Sequence, residues 1–335
     1  MTKNRKYSGE FIDFEEVKME LSGSRIQLKN RRENLERNQH NENLSARYMD
    51  GIRAEIASLE EKIPQLEAIL ATEPPPPELP PLQPLFKVSG VLEEFSVQKV
   101  MGYFTEREYD PEAFSRKEAR NQVGALLLAI TGNAAGSAVT GQSDVRVSDC
   151  CDFVRGKING VPFYGWLGKT HVQVGDYVEM AVMGEDDHYL VYAIMFPELR
   201  TLSITPRCRC GREADIRFGL VYGMSVFASI FLIILIIFYF KGVDWKGIAV
   251  CAAMFGGILL LAFGRATWKV KKRPGPVFLL TENILTTLGV ADSQYVDLRK
   301  LTKTRVKMLS SKPLTLADRD LPSRRSAWVN YFYYY

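Results

Sequence analysis

Apolar positions are distributed very unevenly along this chain. Residues 218–240 form 23 consecutive uncharged positions, rich in Ile, Leu, Val and Phe. A helix rises about 1.5 Å per residue, so this stretch would extend about 34 Å and cross a hydrocarbon layer of roughly 30 Å. Residues 247–264 give 18 more uncharged positions, with more Gly and Ala. We therefore predict two transmembrane helices, joined by loop 241–246 into a hairpin within residues 213–270.

Charged residues beside the two stretches predict their orientation. Arg and Lys cluster before the first stretch and after the second, and cytoplasmic ends carry the excess of positive charge. We expect both termini in the cytoplasm and loop 241–246 on the opposite side of the membrane. Small residues let helices approach closely, so Gly247, Ala252, Gly256 and Gly257 are expected to face the first helix. The predicted membrane-interface residues are Arg217, Tyr239, Trp245, Arg265, Trp268, Lys269, Lys271, Lys272 and Arg273.

Residues 1–72 predict a helical coiled-coil region. Seven apolar residues alternate at spacings of three and four, the period of a helix-packing seam: Met49, Ile52, Ile56, Leu59, Ile63, Leu66 and Leu70. Polar residues 38–41 separate this helix from a weaker apolar seam upstream, and Pro64 would kink or divide it. Two amphipathic helices folded on each other are the first interpretation, and a homo-oligomer formed through residues 49–70 is the alternative.

A proline-rich linker and a strand-rich domain follow. Residues 74–84 contain seven prolines in eleven positions, which predicts a stiff linker at 73–85. Within residues 86–212, short apolar alternations separated by turns predict a small β-barrel-like domain of OB or SH3-like type, with a hairpin at Asn159-Gly160. An Ala/Gly-rich insertion at 119–143 is expected to be a helix and a loop, with entry into a bilayer as the alternative. The predicted fold class is α+β.

Composition and charge exclude several classes of protein. With 335 residues, 46% hydrophobic and 24% charged, the chain is neither globally disordered nor collagen-like. Residues 265–335 hold 14 Lys/Arg and 5 Asp/Glu, a net charge of +9, so the basic C-terminal region 271–335 is expected to lie against anionic lipid. We expect no nucleic-acid partner, because the β domain is acidic and no recognition motif accompanies the basic tail. Residues 277–290 predict one or two strands, and aromatic residues 328–335 predict either interfacial anchors or a packed strand.

The sequence offers little catalytic chemistry. It has no P-loop, HExxH, Rossmann fingerprint or GxSxG elbow, so we predict no catalytic residue, no cofactor and no metal ion. His188 is expected to pack at a turn, and a general base oriented by Asp186 or Asp187 is the alternative. Five cysteines without an export leader argue against a secreted disulfide framework. We expect free thiols, with lipidation of Cys208 or Cys210 as an option.

Four segments spread over the β domain resemble a bacterial family. They are Gly160–Leu167, Gly175–Glu179, Asp187–Ile194 with Pro197, and Pro206–Arg212. Together they are similar to type VI secretion system effectors, in which a strand-rich domain, an Ala/Gly-rich insertion and a transmembrane segment follow one another. The resemblance covers residues 85–240, and Thr205-Pro206-Arg207 departs from the family's Tyr-Pro-His. The residues that carry it are Gly165, Trp166, Gly175, Asp176, Asp187, His188, Tyr189, Tyr192 and Cys208.

This resemblance implies a non-enzymatic effector that inserts into the inner membrane and perturbs or permeabilises it. Its expected partners are the lipid bilayer and a secretion-apparatus or immunity protein. The alternative is a membrane-anchored adaptor, immunity or sensor protein, which would act through the coiled coil and the β domain.

Overall fold

The computed structural model describes residues 11–38, 46–130, 148–241, 245–309 and 321–335. The chain divides into two compact units. The first unit comprises Met1–Pro77 with Gln98–Gly102, and the second comprises Glu78–Val97 with Tyr103–Tyr335. Helices and a β-barrel occur together, which confirms the predicted α+β class.

The first unit is built on two antiparallel helices, α1 (Phe14–Asn38) and α2 (Ala46–Leu70). Ile52 and Leu66 of the predicted seam are buried, so the helical hairpin is confirmed. Ion pairs join the two helices along their length, including Arg25–Glu67 at 2.7 Å and Arg32–Glu60 at 2.6 Å. Helix α2 continues through Pro64, so the predicted division there is wrong. The other residues of the seam are half-buried, and a homo-oligomer formed through residues 49–70 stays a prediction.

A closed five-stranded barrel forms the core of the second unit. Its strands are β1 (Phe86–Tyr103), β2 (Ser148–Ile158), β3 (Val161–Leu167), β4 (Tyr177–Gly184) and β5 (Tyr189–Phe196). Their order is β3-β2-β1-β4-β5, and β5 pairs back onto β3 in parallel, which closes the barrel. The predicted small barrel is therefore present. Two further strands, β6 (Thr201–Ile204) and β7 (Phe332–Tyr334), extend the sheet beyond β5.

The turn between β2 and β3 follows directly from its two residues. Asn159 and Gly160 both have positive φ, 51° and 77°, as a type I′ turn requires. Ile158 and Val161 pair on either side of the turn, which confirms the predicted hairpin. The Asn159 amide also donates a hydrogen bond of 3.1 Å to the carbonyl oxygen of Ser89, so the turn is fastened to β1.

Two short helical elements lead from β1 to β2. Helix α3 (Glu106–Tyr109) is followed by α4 (Pro111–Ile130), so the insertion is helical as far as Ile130, as expected. The rest of the Ala/Gly-rich segment, residues 131–143, lies outside the described residues. The bilayer-entry alternative for that segment therefore stays a prediction.

Five helices make up most of the C-terminal half: α5 (Arg212–Phe240), α6 (Trp245–Lys272), α7 (Pro276–Thr287), α8 (Leu298–Leu309) and α9 (Ser326–Val329). The strands predicted at 277–290 are wrong, since α7 occupies this region. Pro276 stands in the first turn of α7, where its fixed φ and missing N–H suit a helix start. Leu280, Ile284 and Leu288 recur every four residues and bury one helical stripe.

The aromatic C-terminal residues form the packed strand rather than interfacial anchors. Strand β7 pairs antiparallel with β6, and its three residues, Phe332, Tyr333 and Tyr334, are all buried. The backbone N–H of Tyr334 donates to Oγ1 of Thr302 at 2.9 Å, so β7 also holds helix α8. Strand β7 thus joins the barrel sheet to helix α8.

Candidate membrane-anchoring site

Helix α5 exposes apolar side chains around its whole circumference. Val221, Ile230 and Ile233 are 72%, 52% and 57% exposed, and they do not share one face. Arg212–Phe238 is long and apolar enough to cross a membrane: its most apolar stretch of 18 residues has a mean hydropathy of 2.7, and none of those residues is buried. A helix that is apolar on all sides normally lies inside a protein core or a bilayer. The apolar part of α5 does not lie inside a protein core.

Helix α6 runs antiparallel beside α5. Lys271 Nζ lies 3.2 Å from Glu213 Oε1, so the end of α6 meets the start of α5. Two to three turns further along, a Cβ at Gly223 would overlap the ring of Phe263. A Cβ added at Gly256 or Gly257 would contact nothing within 4 Å, so the predicted packing through these two glycines is wrong. The close approach uses a glycine of the first helix, because the second helix supplies a bulky ring at that level.

The two helices differ as candidate spans. Within the part of the chain that the structure describes, α5 alone meets the length and hydropathy that a membrane crossing needs. Helix α6 has 28 residues and ends in a basic turn with Lys269, Lys271 and Lys272. The two helices lie beside each other as a pair, and the first is a candidate span by length and composition. The second crossing stays a prediction.

Seven of the nine predicted interface residues lie at one end of this helical pair. Arg217 lies near the start of α5, with its guanidinium carbon 4.7 Å from the ring centre of Tyr295. Trp268 is exposed near the end of α6, and Lys272 Nζ lies 4.7 Å from its ring centre. Arg265, Lys269, Lys271 and Arg273 complete the basic group at this end. The side chains of Tyr239 and Trp245, at the opposite end, lie outside the described residues.

Backbone contacts fasten the start of α5 to the C-terminal helices. The N–H of Gly211 donates to Val296 O at 3.0 Å, and the N–H of Arg212 donates to Glu282 Oε1 at 2.8 Å. A Cβ at Gly211 would overlap the carbonyl oxygen of Ser293, so glycine is needed there. These contacts join segments about 70–85 residues apart, and local sequence patterns do not reveal such pairs.

Most residues that carry the family resemblance build the barrel. A Cβ at Gly165 on β3 would overlap Val191 O, so this glycine permits the close pairing of β3 with β5. Trp166 packs its ring edge-on against Phe104 and Phe153, with centroids 6.1 and 5.4 Å away. Tyr192 on β5 donates from its hydroxyl to Glu78 O at 3.0 Å. Gly165, Trp166 and Tyr192 therefore have structural roles in the barrel.

Two further family-like residues shape the turn before β4. Gly175 has φ +92°, and its N–H donates to Leu92 O at 2.8 Å. Asp176 accepts the N–H of Gln173 at 2.9 Å through Oδ2. Tyr189, which starts β5, packs edge-on against Phe86 at 5.7 Å. The turn and the strand start are therefore fixed by local hydrogen bonds and by one aromatic pair.

His188 lies between two acidic side chains at the rim of an open groove of about 450 Å³. Its Nδ1 is 2.7 Å from Asp187 Oδ1 and its Nε2 is 2.9 Å from Glu185 Oε2. The imidazole also stacks on Tyr164 at 4.9 Å with an interplanar angle of 20°. The hydrogen bond with His188 lowers the pKa of the Asp187 carboxyl. Because the imidazole is hydrogen-bonded to Asp187 through Nδ1 and stacked on Tyr164, this arrangement favours the packing role over the general base.

Cys208 belongs to a buried polar cluster just before α5. The Tyr109 hydroxyl donates to Pro206 O at 2.8 Å and lies 3.7 Å from Cys208 Sγ. Arg207, one of the two residues that depart from the family pattern, places its Nε 2.9 Å from Asp149 Oδ2. The Tyr331 hydroxyl donates to the other Asp149 oxygen at 2.7 Å. The sequence did not indicate Asp149 or Tyr331, because their partners lie 58 and 182 residues away.

The described cysteines are free thiols in buried positions. Burial raises the pKa of Cys150, Cys208 and Cys210 to about 11 each. Lipidation of Cys208 or Cys210 would require this region to open, since both side chains are buried. Throughout the described ranges, no group of three His, Cys, Asp or Glu side chains converges as a metal site.

We predict slow alkylation of Cys208 and Cys210 in the native protein. At pH 8 a pKa of about 11 leaves roughly a hundredfold less thiolate than an ordinary exposed cysteine has. Iodoacetamide labelling followed by peptide mass spectrometry should show both residues protected at pH 8 and reactive in urea. As the pH rises towards 11, native labelling should accelerate. Rapid native labelling of Cys208 at pH 8 would contradict the buried cluster.

Comparisons with known proteins give no relative from which to transfer a function. No protein-family model, no curated protein and no solved structure matches this chain. The functional interpretation therefore depends on the exposed helix α5, its basic end and the elements fastened to it.

Proposed function

We propose that this chain is a membrane-inserted protein whose helix α5 crosses a bacterial inner membrane. The observation that carries the proposal is the exposed apolar surface of α5. Among the side chains described between Phe218 and Phe240, eleven large apolar ones are exposed. Soluble monomers rarely expose a continuous apolar patch of this kind. Even at about 1 kcal/mol for each side chain transferred from water, insertion gains about 10 kcal/mol.

The charge distribution supports one orientation. Basic residues at the start of α5 and at the end of α6 lie at the same end of the helical pair, which includes the contact between Glu213 and Lys271. Excess positive charge favours the cytoplasmic side. We place the barrel, the α1–α2 hairpin and the C-terminal helices in the cytoplasm. Loop 241–246 is then periplasmic, and α6 crosses beside α5.

The resemblance to type VI secretion system effectors supports a specific role for this insertion. In that proposal the protein perturbs or permeabilises the inner membrane without enzymatic chemistry. A secretion-apparatus or immunity protein would bind its cytoplasmic part. The antiparallel pair of α5 and α6 is consistent with a unit that enters a bilayer as a hairpin.

A membrane-anchored adaptor, immunity or sensor protein is the second candidate. The observation in its favour is that a helical hairpin and a closed barrel, both folded, accompany the single candidate span α5. The α1–α2 hairpin and the closed barrel both present surfaces to the solvent, and the barrel has an open groove lined by Phe95, Arg155 and Tyr164. A concave groove of this kind suits a small ligand, such as a sensor would bind.

Two lysines in the middle of α5 should prevent its insertion. On insertion scales each costs about 2.5–3.5 kcal/mol at a helix centre, which offsets most of the gain from the apolar residues. We expect the I230K/I233K variant to leave the membrane fraction after alkaline carbonate extraction, whereas the native chain stays. The matched control is M19K/I26K, which changes two exposed apolar residues of α1. Retention of I230K/I233K with the native chain contradicts insertion through α5.

The two candidate roles differ in their effect on a living cell. If the protein is a permeabilising effector, expression of the full chain in a bacterium should arrest growth and depolarise the membrane, as reported by a potential-sensitive dye. The I230K/I233K variant should do neither at equal expression. Harmless accumulation of the native chain in the membrane would reject the effector proposal and support the adaptor.

A further inference from the structure

A pocket of about 420 Å³ lies where α5 begins. Helix α8 forms one wall, and α9 with the residues before it forms another. Its lining combines cations with aromatic rings: Phe218, Arg299, Lys300, Lys303, Arg324 and Trp328. The sequence indicated a basic region here but no pocket, because α5, α8 and α9 meet only in the folded chain.

The pocket has more cations than it can neutralise. Asp297 is the acidic residue in its lining, and this side chain caps α8 by accepting the N–H groups of Arg299 and Lys300 at 3.1 and 3.2 Å. Asp297 also lies 3.8 Å from Lys300 Nζ. Among the described residues, Lys303 and Arg324 have no carboxylate within ion-pair distance. An anion would therefore meet an uncompensated positive charge.

Aromatic groups place the pocket at the level where the apolar surface begins. Phe218 is the first residue of the uncharged stretch and is 49% exposed. Lys300 Nζ lies 5.8 Å from the Phe218 ring centre, and the Arg299 guanidinium carbon lies 4.3 Å from that of Trp328. Trp328 is 67% exposed. Cations and exposed aromatic rings at one level are typical of the zone between head groups and hydrocarbon.

Helix α8 has one face packed on the protein and one exposed face, as expected of a helix at the boundary between head groups and hydrocarbon. Leu298 and Thr302 are buried and fix the helix to the protein. On the outer side, Lys300 and Lys303 are exposed together with Leu301, which is 43% exposed. Apolar and basic side chains on the same exposed face suit a surface with both acyl chains and anionic head groups.

We propose that this pocket binds the phosphate group of one anionic phospholipid. Lys303, Arg324 and Arg299 hold the phosphate oxygens, and the acyl chains lie against Phe218 and the apolar side of α5. The proposal rests on membrane insertion through α5. A free phosphate ion shares the same charge chemistry, but the aromatic wall beside the cations favours the lipid. A discrete pocket, unlike a diffuse basic surface, saturates at one lipid and depends on particular residues.

The test compares two variants that lose the same charge. K303Q/R324Q changes two pocket residues, and K307Q/R325Q changes an exposed basic residue one turn along α8 and the residue next to Arg324. Full-length protein in detergent micelles is titrated with dioleoyl phosphatidylglycerol or with dioleoyl phosphatidylcholine, and native mass spectrometry counts the bound lipids. Circular dichroism checks that both variants keep the native fold.

We expect one tightly bound phosphatidylglycerol per chain in the native protein and in K307Q/R325Q. In K303Q/R324Q the affinity should fall about tenfold or more, since each removed cation weakens contact with the anionic lipid. Equal binding of the two lipids, or equal losses in the two variants, would overturn the pocket. Displacement of the lipid by equimolar inorganic phosphate would show that the site takes the free ion and would also overturn the proposal.

This titration is independent of the insertion experiment. Lipid binding is measured in micelles, whereas insertion is measured by carbonate extraction of cell membranes. If carbonate extraction removes the native chain from the membrane fraction but K303Q/R324Q still loses lipid selectively, the proposed function is wrong and the lipid-binding pocket is supported. If the chain stays in the membrane and the two variants bind equally, the pocket fails alone.

Discussion

The exposed apolar surface of α5 is the feature that most constrains where this protein can lie, because its contact with water is unfavourable. The stretch between Phe218 and Phe240 is uncharged, helical and exposed, and a bilayer removes that surface from water without any change in the fold. The basic ends of α5 and α6 then lie together at one membrane face. The aromatic and basic lining around Phe218 and Trp328 lies at the start of the same helix, where head groups would be.

Hydrogen bonds join the folded part of the second unit to the start of this helix. Hydrogen bonds from Gly211 and Arg212 fix the first turn of α5 to the C-terminal helices. Thr302 of α8 donates to Leu298 O at 2.8 Å and accepts from the backbone of β7, which continues the barrel sheet. Insertion of α5 would therefore set the position of the barrel above the membrane. That arrangement favours recognition at a membrane surface, whether for a permeabilising effector or for an adaptor.

Local signals in the sequence predicted much of this fold. The uncharged run of α5, the seam of α2 and the Asn159-Gly160 turn each depend on neighbouring residues, and all three are present. The strands expected at 277–290 are wrong because apolar residues in a short run fit a strand or a helix equally well, and tertiary packing decides. The pocket beside α5 and the Arg207–Asp149 pair join distant segments, so no local pattern indicated them.

The surroundings of the middle of α5, hydrocarbon or water, can be measured directly. A nitroxide spin label at I233C, in a C251A background and in full-length protein reconstituted into liposomes, reports its own surroundings by electron paramagnetic resonance. Apolar oxygen should relax the label efficiently, and a water-soluble nickel chelate should not. If the chelate reaches the label as readily as oxygen does, α5 lies in water and the account is wrong.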